Sequence, residues 1–464
     1  MKVEQLYTGC LAEAAYYIES NGEAAIIDPL RETAPYLKRA EKDGARIKYI
    51  FETHFHADFV SGHVELSQKT GARIVFGPSA VCSYDCDVAI DGQEYKVGEV
   101  TIRVLHTPGH TMESTTYLLL DETGKPHCIF TGDTLFINDV GCPDLAIKSD
   151  LTIQDLASHL YNSLHTKILP LPDDVIVYPA HGAGSACGKN MGKETFDTLG
   201  HQKQVNYALQ PMSKEDFVKS VTEGLSAAPQ YFPKNAMLNK TGAKGLDEIL
   251  KSGLKAWSPA DFENVAESSG ALVLDTRKPQ DFVKGFVPGS IFIGIDGQFA
   301  PWVGALITDL TQPILLICDA GREEECITRL ARVGYDNTIG SLKGGIAAWQ
   351  AAGKPVDTIT SISATQFAEQ YNAGCKVLDV RRPAEFEGGH LPDADNKPLD
   401  YINDWTSSLQ TQQPYFVHCA GGYRSVIAAS ILKARGYNNL VDIAGGWGAV
   451  KNAGLPVEQG ILKG

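Results

Sequence analysis

Glu52-Thr53-His54-Phe55-His56-Ala57-Asp58-Phe59 places two imidazoles and a carboxylate at alternate positions, directly after the apolar run Tyr49–Phe51. Three more runs end the same way. Thr101–Leu105 leads to Thr107-Pro108-Gly109-His110, Cys128–Phe130 to Thr131-Gly132-Asp133, and Val175–Tyr178 to Pro179-Ala180-His181. A short apolar run reads as a buried strand, and loops just past strand ends are where an α/β scaffold presents reactive groups. One histidine at a strand end is usually a structural residue. Four imidazoles and two carboxylates, all at strand ends, are not explained by packing and point to a bound metal.

The remaining composition narrows the class of protein. The chain has 464 residues, suggesting about three domains. Its 41 Lys and Arg against 56 Asp and Glu give a net charge of −15, which disfavours nucleic acid and anionic membrane surfaces as partners. No apolar run approaches the ~18 residues of a membrane helix. The start, Met1-Lys2-Val3-Glu4-Gln5, lacks a signal core, so a cytoplasmic protein is expected. Ten cysteines in such a chain do not form a disulfide framework. Cys82 and Cys86 form a C-x3-C pair without a second Cys/His pair to complete a zinc knuckle, and read as structural. Ten of the twelve histidines lie at or before His201, so metal chemistry belongs to the first 200 residues.

The second half repeats. Leu274-Asp275-Thr276-Arg277-Lys278-Pro279-Gln280-Asp281-Phe282 returns as Leu378-Asp379-Val380-Arg381-Arg382-Pro383-Ala384-Glu385-Phe386, and Lys343-Gly344-Gly345 as Ala444-Gly445-Gly446. Each copy, about 100 residues of short strands alternating with helical stretches, reads as a small α/β domain with a parallel sheet. The expected organisation is a metal-binding domain over 1–211, a docking linker over 212–253, and two repeat domains over 254–356 and 357–464.

Cys419-Ala420-Gly421-Gly422-Tyr423-Arg424-Ser425 follows the strand Tyr415–Val417 and precedes a helical stretch. Gly421 and Gly422 let backbone N–H groups approach the sulfur, and the helix N-terminus and Arg424 add positive potential. Together they favour the Cys419 thiolate, the nucleophilic form. In the first copy, Cys318-Asp319-Ala320-Gly321-Arg322-Glu323-Glu324 aligns through its Ala-Gly step. That alignment puts Asp319 at the nucleophile position, Glu324 at the arginine position, and Cys318 one residue early. The first copy is therefore expected to be inactive.

The histidine and aspartate set resembles the metallo-β-lactamase fold superfamily. The wording around His54, His110 and Tyr178-Pro179-Ala180-His181-Gly182-Ala183-Gly184-Ser185-Ala186-Cys187-Gly188-Lys189 resembles its persulfide dioxygenase branch. The Cys419 loop resembles that of rhodanese sulfurtransferases. The implied fold is α/β multidomain: an N-terminal αββα metallo-β-lactamase-like sandwich followed by two small rhodanese-like α/β domains. The resemblance implies one Fe(II) per chain on His54, His110 and Asp133, the two-imidazole, one-carboxylate set of non-haem iron oxygenases. His56, Asp58 and His181 then surround it. Phe59 stands where dinuclear zinc members carry a histidine. Cys142, in Val140-Gly141-Cys142-Pro143-Asp144-Leu145, stands where the branch carries an arginine for an anionic thiol; it either lines the substrate site or is a small buried residue. The implied activity is oxidation of a small thiol persulfide with O2 to sulfite, and transfer of sulfane sulfur through a Cys419 persulfide to or from sulfite, giving thiosulfate. A homo-oligomer is compatible with the sequence. The alternatives are a zinc-dependent glyoxalase II-like thioester hydrolase and a non-catalytic sulfur relay.

Overall fold

The computed structural model describes residues 1–143, 151–225 and 228–460. The chain divides into two compact units: Met1–Asp247 with Ala331–Gly334, and Glu248–Leu330 with Tyr335–Gly464. No helix among the described residues is long and apolar enough to cross a membrane.

The first unit is an αββα sandwich of two six-stranded sheets. One runs Lys2–Thr8, Glu13–Ser20, Glu23–Ile27, Arg46–Glu52, Arg73–Phe76, Asp87–Val88. The other runs Asp197–Thr198, Ile176–Pro179, Pro126–Gly132, Thr115–Leu120, Val100–His106, Glu94–Val97. Strand side chains alternate between faces, so each apolar run supplies two cores. Tyr117 and Leu119 join Tyr16, Phe51 and Phe130 between the sheets, while Leu118 and Leu120 meet Leu160 and Leu164 on the helix side. Burial on both faces is why these strands read as continuous apolar runs. Parallel pairing brings Phe130 opposite Tyr178 and Gly132 opposite Pro179, so the loops carrying Asp133 and His181 emerge side by side.

The segment expected to link the halves folds as helices Lys214–Thr222, Phe232–Thr241 and Leu246–Gly253. Tyr231 and Phe232 are buried. Asn239, also buried, donates from Nδ2 to the carbonyls of His56 and Phe59, 2.7 Å each, and accepts from the Ser61 amide at 2.8 Å. This helix therefore holds the loop that carries the first metal motif. Cys82 and Cys86 are joined as a disulfide. The other eight cysteines are free thiols.

The second unit holds two five-stranded sheets, every strand pair parallel. They run Ala256–Trp257, Thr338–Leu342, Ile314–Ile317, Leu272–Asp275, Ile291–Phe292, and Thr360–Ser363, Leu440–Ala444, Tyr415–His418, Val377–Asp379, Asp395–Asn396. The repeated Asp-x-Arg has one purpose in both copies. Arg277 forks onto Asp275 and reaches the Gly285 carbonyl at 2.9 Å; Arg381 forks onto Asp379 and reaches Gly389 at 2.8 Å.

Strand register corrects the alignment of the two loops. Ile317 pairs with Asp275 as His418 pairs with Asp379, so Cys318, not Asp319, occupies the position of Cys419. Helices begin five residues later in both copies, at Glu323 and Arg424. Glu323, not Glu324, therefore replaces the arginine. Two matched small residues carried less information than the hydrogen-bonded ladder that fixes where each loop begins.

Candidate metal centre and sulfur-carrying loop

Six residues from four strand ends converge in the first unit, all buried. The ligand atoms of His54, His110 and Asp133 lie within 4.8 Å of one another, as do those of His56, Asp58 and His181. Asp133 faces both groups. Its Oδ2 lies 3.3 Å from His110 Nε2 and 3.9 Å from His54 Nε2, and its Oδ1 lies 3.5 Å from His181 Nε2.

The opposite nitrogen of each ring is held from outside. His110 Nδ1 bonds the Cys142 carbonyl at 2.8 Å, His54 Nδ1 the Thr53 hydroxyl at 3.0 Å, and His181 Nδ1 the Ala12 carbonyl at 3.3 Å. Partners of this kind turn Nε2 toward a metal. Cys142 itself is buried, and its backbone carbonyl is the group that meets His110. Asp144 and Leu145 of its motif lie outside the described residues. Gly141 is required where it stands, since a side chain there would run into the Asp133 carbonyl and the His110 ring.

His56 behaves differently from the other three imidazoles. Its Nε2 lies 3.1 Å from Asp28 and 3.6 Å from Glu52, and the Phe59 ring packs against it at 4.3 Å between centroids. Burial opposes its charge, but Asp28 and Glu52 prevail and push it up to about 10. His54 is driven the other way: burial first, then His56, His110 and His181, hold it well below the ordinary range and keep it neutral.

Both Asp133 oxygens, Asp58 Oδ1 and His181 Nε2 are buried without a hydrogen-bond partner. Such orphans are costly unless a cation or polar group meets them, so the donor set fits a bound metal. Cys187 also belongs here, grouped with Asp133 and His181. Burial, then Asp133 and Asp58, push its thiol well up. In the sequence Cys187 stands out only as part of the longer motif that follows His181. Its separation from Asp133 along the chain follows no ligand spacing that would have marked it.

In the second unit, Cys419 caps the strand Tyr415–His418. The Gly422 amide donates to its sulfur at 3.1 Å, and Gly422 takes φ +92°, a conformation that favours glycine. The Arg424 charge does not face the sulfur freely. Its guanidinium forks onto Glu385 through two 2.7 Å bonds, and those bonds hold the Glu385 carboxyl below its ordinary range. A cavity of about 290 Å³ opens over the loop, lined by Cys419, Gly421, Tyr423, Arg424, Arg382 and Glu385 with Gln298 and Trp302 of the first copy. Tyr423 Oη donates to the Gly294 carbonyl at 2.6 Å, and its ring fills the space that a Gly297 side chain would need.

A family model of the metallo-beta-lactamase superfamily matches residues 8–181, and one of the rhodanese-like domain matches 258–352 and 363–453. Human persulfide dioxygenase ETHE1, mitochondrial, is 33% identical over 199 residues, 42% of this chain and 70% of the relative. The cytoplasmic hydroxyacylglutathione hydrolase of Arabidopsis thaliana is 32% identical over 177 residues, 37% of this chain and 65% of the relative. The crystal structure of a metallo-beta-lactamase from Staphylococcus aureus subsp. aureus COL is 30% identical with a TM-score of 0.66, covering 74% of this chain and 99% of that one. The paired sheets, the buried cluster at their strand ends and these relatives agree: the chain belongs to the metallo-beta-lactamase superfamily, with persulfide dioxygenase ETHE1 among its homologues, and carries rhodanese-like domains in its C-terminal half.

Proposed function

We propose that this chain oxidises a small thiol persulfide to sulfite at one Fe(II), held by His54, His110 and Asp133, and transfers sulfane sulfur through Cys419. The observation that carries this reading is the placement of His56 and Phe59. The fourth imidazole is engaged by Asp28 and Glu52, and the Phe59 ring packs against it at the sequence position where dinuclear zinc members carry a histidine. That leaves the His54 and His110 imidazoles with the Asp133 carboxylate, a set that keeps positions open for dioxygen and substrate.

Bound Fe(II) supplies the activation of dioxygen beside the substrate's terminal sulfur. Thr53 and the Cys142 carbonyl keep the His54 and His110 rings aimed inward, while Asp133 offers one oxygen to that pair and the other to His181. The overall reaction consumes one O2 and one water and returns the free thiol with sulfite. At the second site, a persulfide on Cys419 gives its outer sulfur to sulfite, releasing thiosulfate and the Cys419 thiolate; the reverse reaction loads Cys419. The cavity of about 290 Å³, with Arg382 at its wall, suits such small anions.

One observation favours a second reading, a dinuclear zinc thioester hydrolase: the His56, Asp58, His181 group and the two-sided Asp133 could hold a second cation. Oxygen uptake with glutathione, coenzyme A and cysteine persulfides, paired with metal analysis, separates the two. Iron near one per chain with persulfide-dependent uptake is expected. Zinc near two with thioester cleavage and no uptake would overturn the proposal.

A further inference from the structure

The two rhodanese-like copies form an internal comparison. Cys318 and Cys419 sit in the same strand register, five residues before a helix. Gly321 at φ +83° matches Gly422 at +92°, and Gly344 at +74° matches Gly445 at +78°. The backbone cradle and the cysteine are thus present twice. Among the surrounding positions that differ, Glu323, Glu324 and Ser341 in the first copy stand where the second has Arg424, Ser425 and Asp442.

In the second copy these residues connect to the sulfur. Cys419 Sγ lies 3.7 Å from Ser425 Oγ, Ser425 Oγ donates to Asp442 Oδ1 at 2.7 Å, and Ser361 Oγ donates to Asp442 Oδ2 at 2.8 Å. Cys419, Ser425 and Asp442 are 1%, 0% and 3% exposed. A hydroxyl has one proton to give. With that proton committed to Asp442, Ser425 presents only a lone pair to Cys419, and the thiol must donate. The chain of bonds therefore runs one way, from sulfur to carboxylate.

We infer that Asp442, acting through Ser425, takes the proton of the Cys419 thiol. The S–H bond breaks and its proton passes to Ser425 Oγ, as the proton already on Ser425 passes to Asp442 Oδ1. No electrons change hands. The products are a thiolate, now accepting from the Ser425 hydroxyl and the Gly422 amide, and a neutral carboxylic acid still held by Ser361. Asp442 is thus a positioning and proton-holding residue that never touches the transferred sulfur.

The surroundings support this direction. Asp442 faces the hydroxyls of Ser361 and Ser425, with Val417 opposite it in the neighbouring strand; burial pushes its carboxyl up, against those two donors. Around Cys419, Arg424 is engaged by Glu385, Arg382 lies at the cavity wall, and His418 faces Asp379 at 3.6 Å. No other carboxylate among the described residues hydrogen-bonds to the Ser425 hydroxyl.

The inference rests on the sulfurtransferase reading of Cys419, and its test separates the two. In the full chain, the rate of Cys419 alkylation by iodoacetamide is followed against pH by peptide mass spectrometry, beside sulfur transfer from thiosulfate to cyanide. Asp442→Asn can keep the bond from Ser425 through Oδ1 and donate from Nδ2 to Ser361, but cannot take the proton. It is expected to move the alkylation profile up by about one pH unit, and so to slow alkylation and transfer at pH 7 about tenfold, with recovery toward pH 9. Ser425→Ala should do the same, the double variant should be no worse than either single one, and Ser425→Thr should restore the profile. If Asp442→Asn does not fold, Ser425→Ala alone decides. A folded variant whose alkylation profile matches wild type overturns the relay. Absence of sulfur transfer in the wild type would overturn the sulfurtransferase reading and leave the alkylation result standing.

Discussion

Asn239→Ala tests whether the helix Phe232–Thr241 holds the metal loop. The side chain makes three hydrogen bonds to the backbone of that loop, with no water to replace them, since Asn239 is 2% exposed. Each is worth about 1 kcal/mol net. Truncation also leaves two carbonyls and an amide buried without partners, so the total rises to about 4 kcal/mol. At roughly 2–4 °C per kcal/mol for a unit of this size, the unfolding midpoint should fall by about 10 °C. The same loop carries Asp58 and Phe59, so metal retained after dialysis against a chelator should fall several-fold. Asn239→Asp should do equal harm, because both carbonyl bonds are donated by the amide nitrogen and a carboxylate has no proton to give. Calorimetry and metal analysis of the two variants read this out. A midpoint within about 2 °C of wild type, with metal content unchanged, would refute the assignment.

Further outcomes follow from the two sites. Phe59→His restores a donor beside Asp58 and His181 and should raise metal content from one toward two per chain, measured by plasma emission. Asp133→Ala removes the oxygens that face both groups and should abolish metal binding and sulfite formation while leaving thiosulfate-to-cyanide transfer intact; Cys419→Ser should do the reverse. The Glu385 carboxyl is held low by Arg424. Its contribution to stability is therefore full above the ordinary carboxylate range and lost as pH falls through and below that range. Urea unfolding of the second unit at pH 7 and pH 4 should show this loss, and Glu385→Gln should remove that part of the pH dependence.

The chain displayed its strands and ligands where chemistry and burial coincide. His54, Asp58, His110, Asp133 and His181 follow apolar runs, and the sandwich brings those run ends together. The strands Lys2–Thr8 and Glu13–Ser20 were not legible, because Lys2, Glu4, Glu13 and Glu19 break the apolar pattern. Yet Glu13 is fully buried, close to the charges of His56, Asp28 and Asp58. Asn239 left no trace either: an amide that satisfies distant backbone groups has no characteristic spacing. The loop of the first repeat was misplaced by one residue, because Ala-Gly recurs by chance while inter-strand pairing does not. Sequence displays the charge of Arg424 alone, and only the fold shows Glu385 engaging it.

The seat of Tyr423 against Gly294 and Gly297 bears on how the first repeat can evolve. A duplicate whose loop has lost the arginine and serine of its sister is ordinarily free to drift until it is lost. Here the corner that receives the tyrosine tolerates nothing larger than hydrogen, and Gln298 and Trp302 line the wall above its sister's sulfur. Drift can therefore rewrite the duplicate's own loop while that one surface is kept by what it does for its neighbour, and a shortened chain lacking the first repeat would strip two residues from the wall over Cys419.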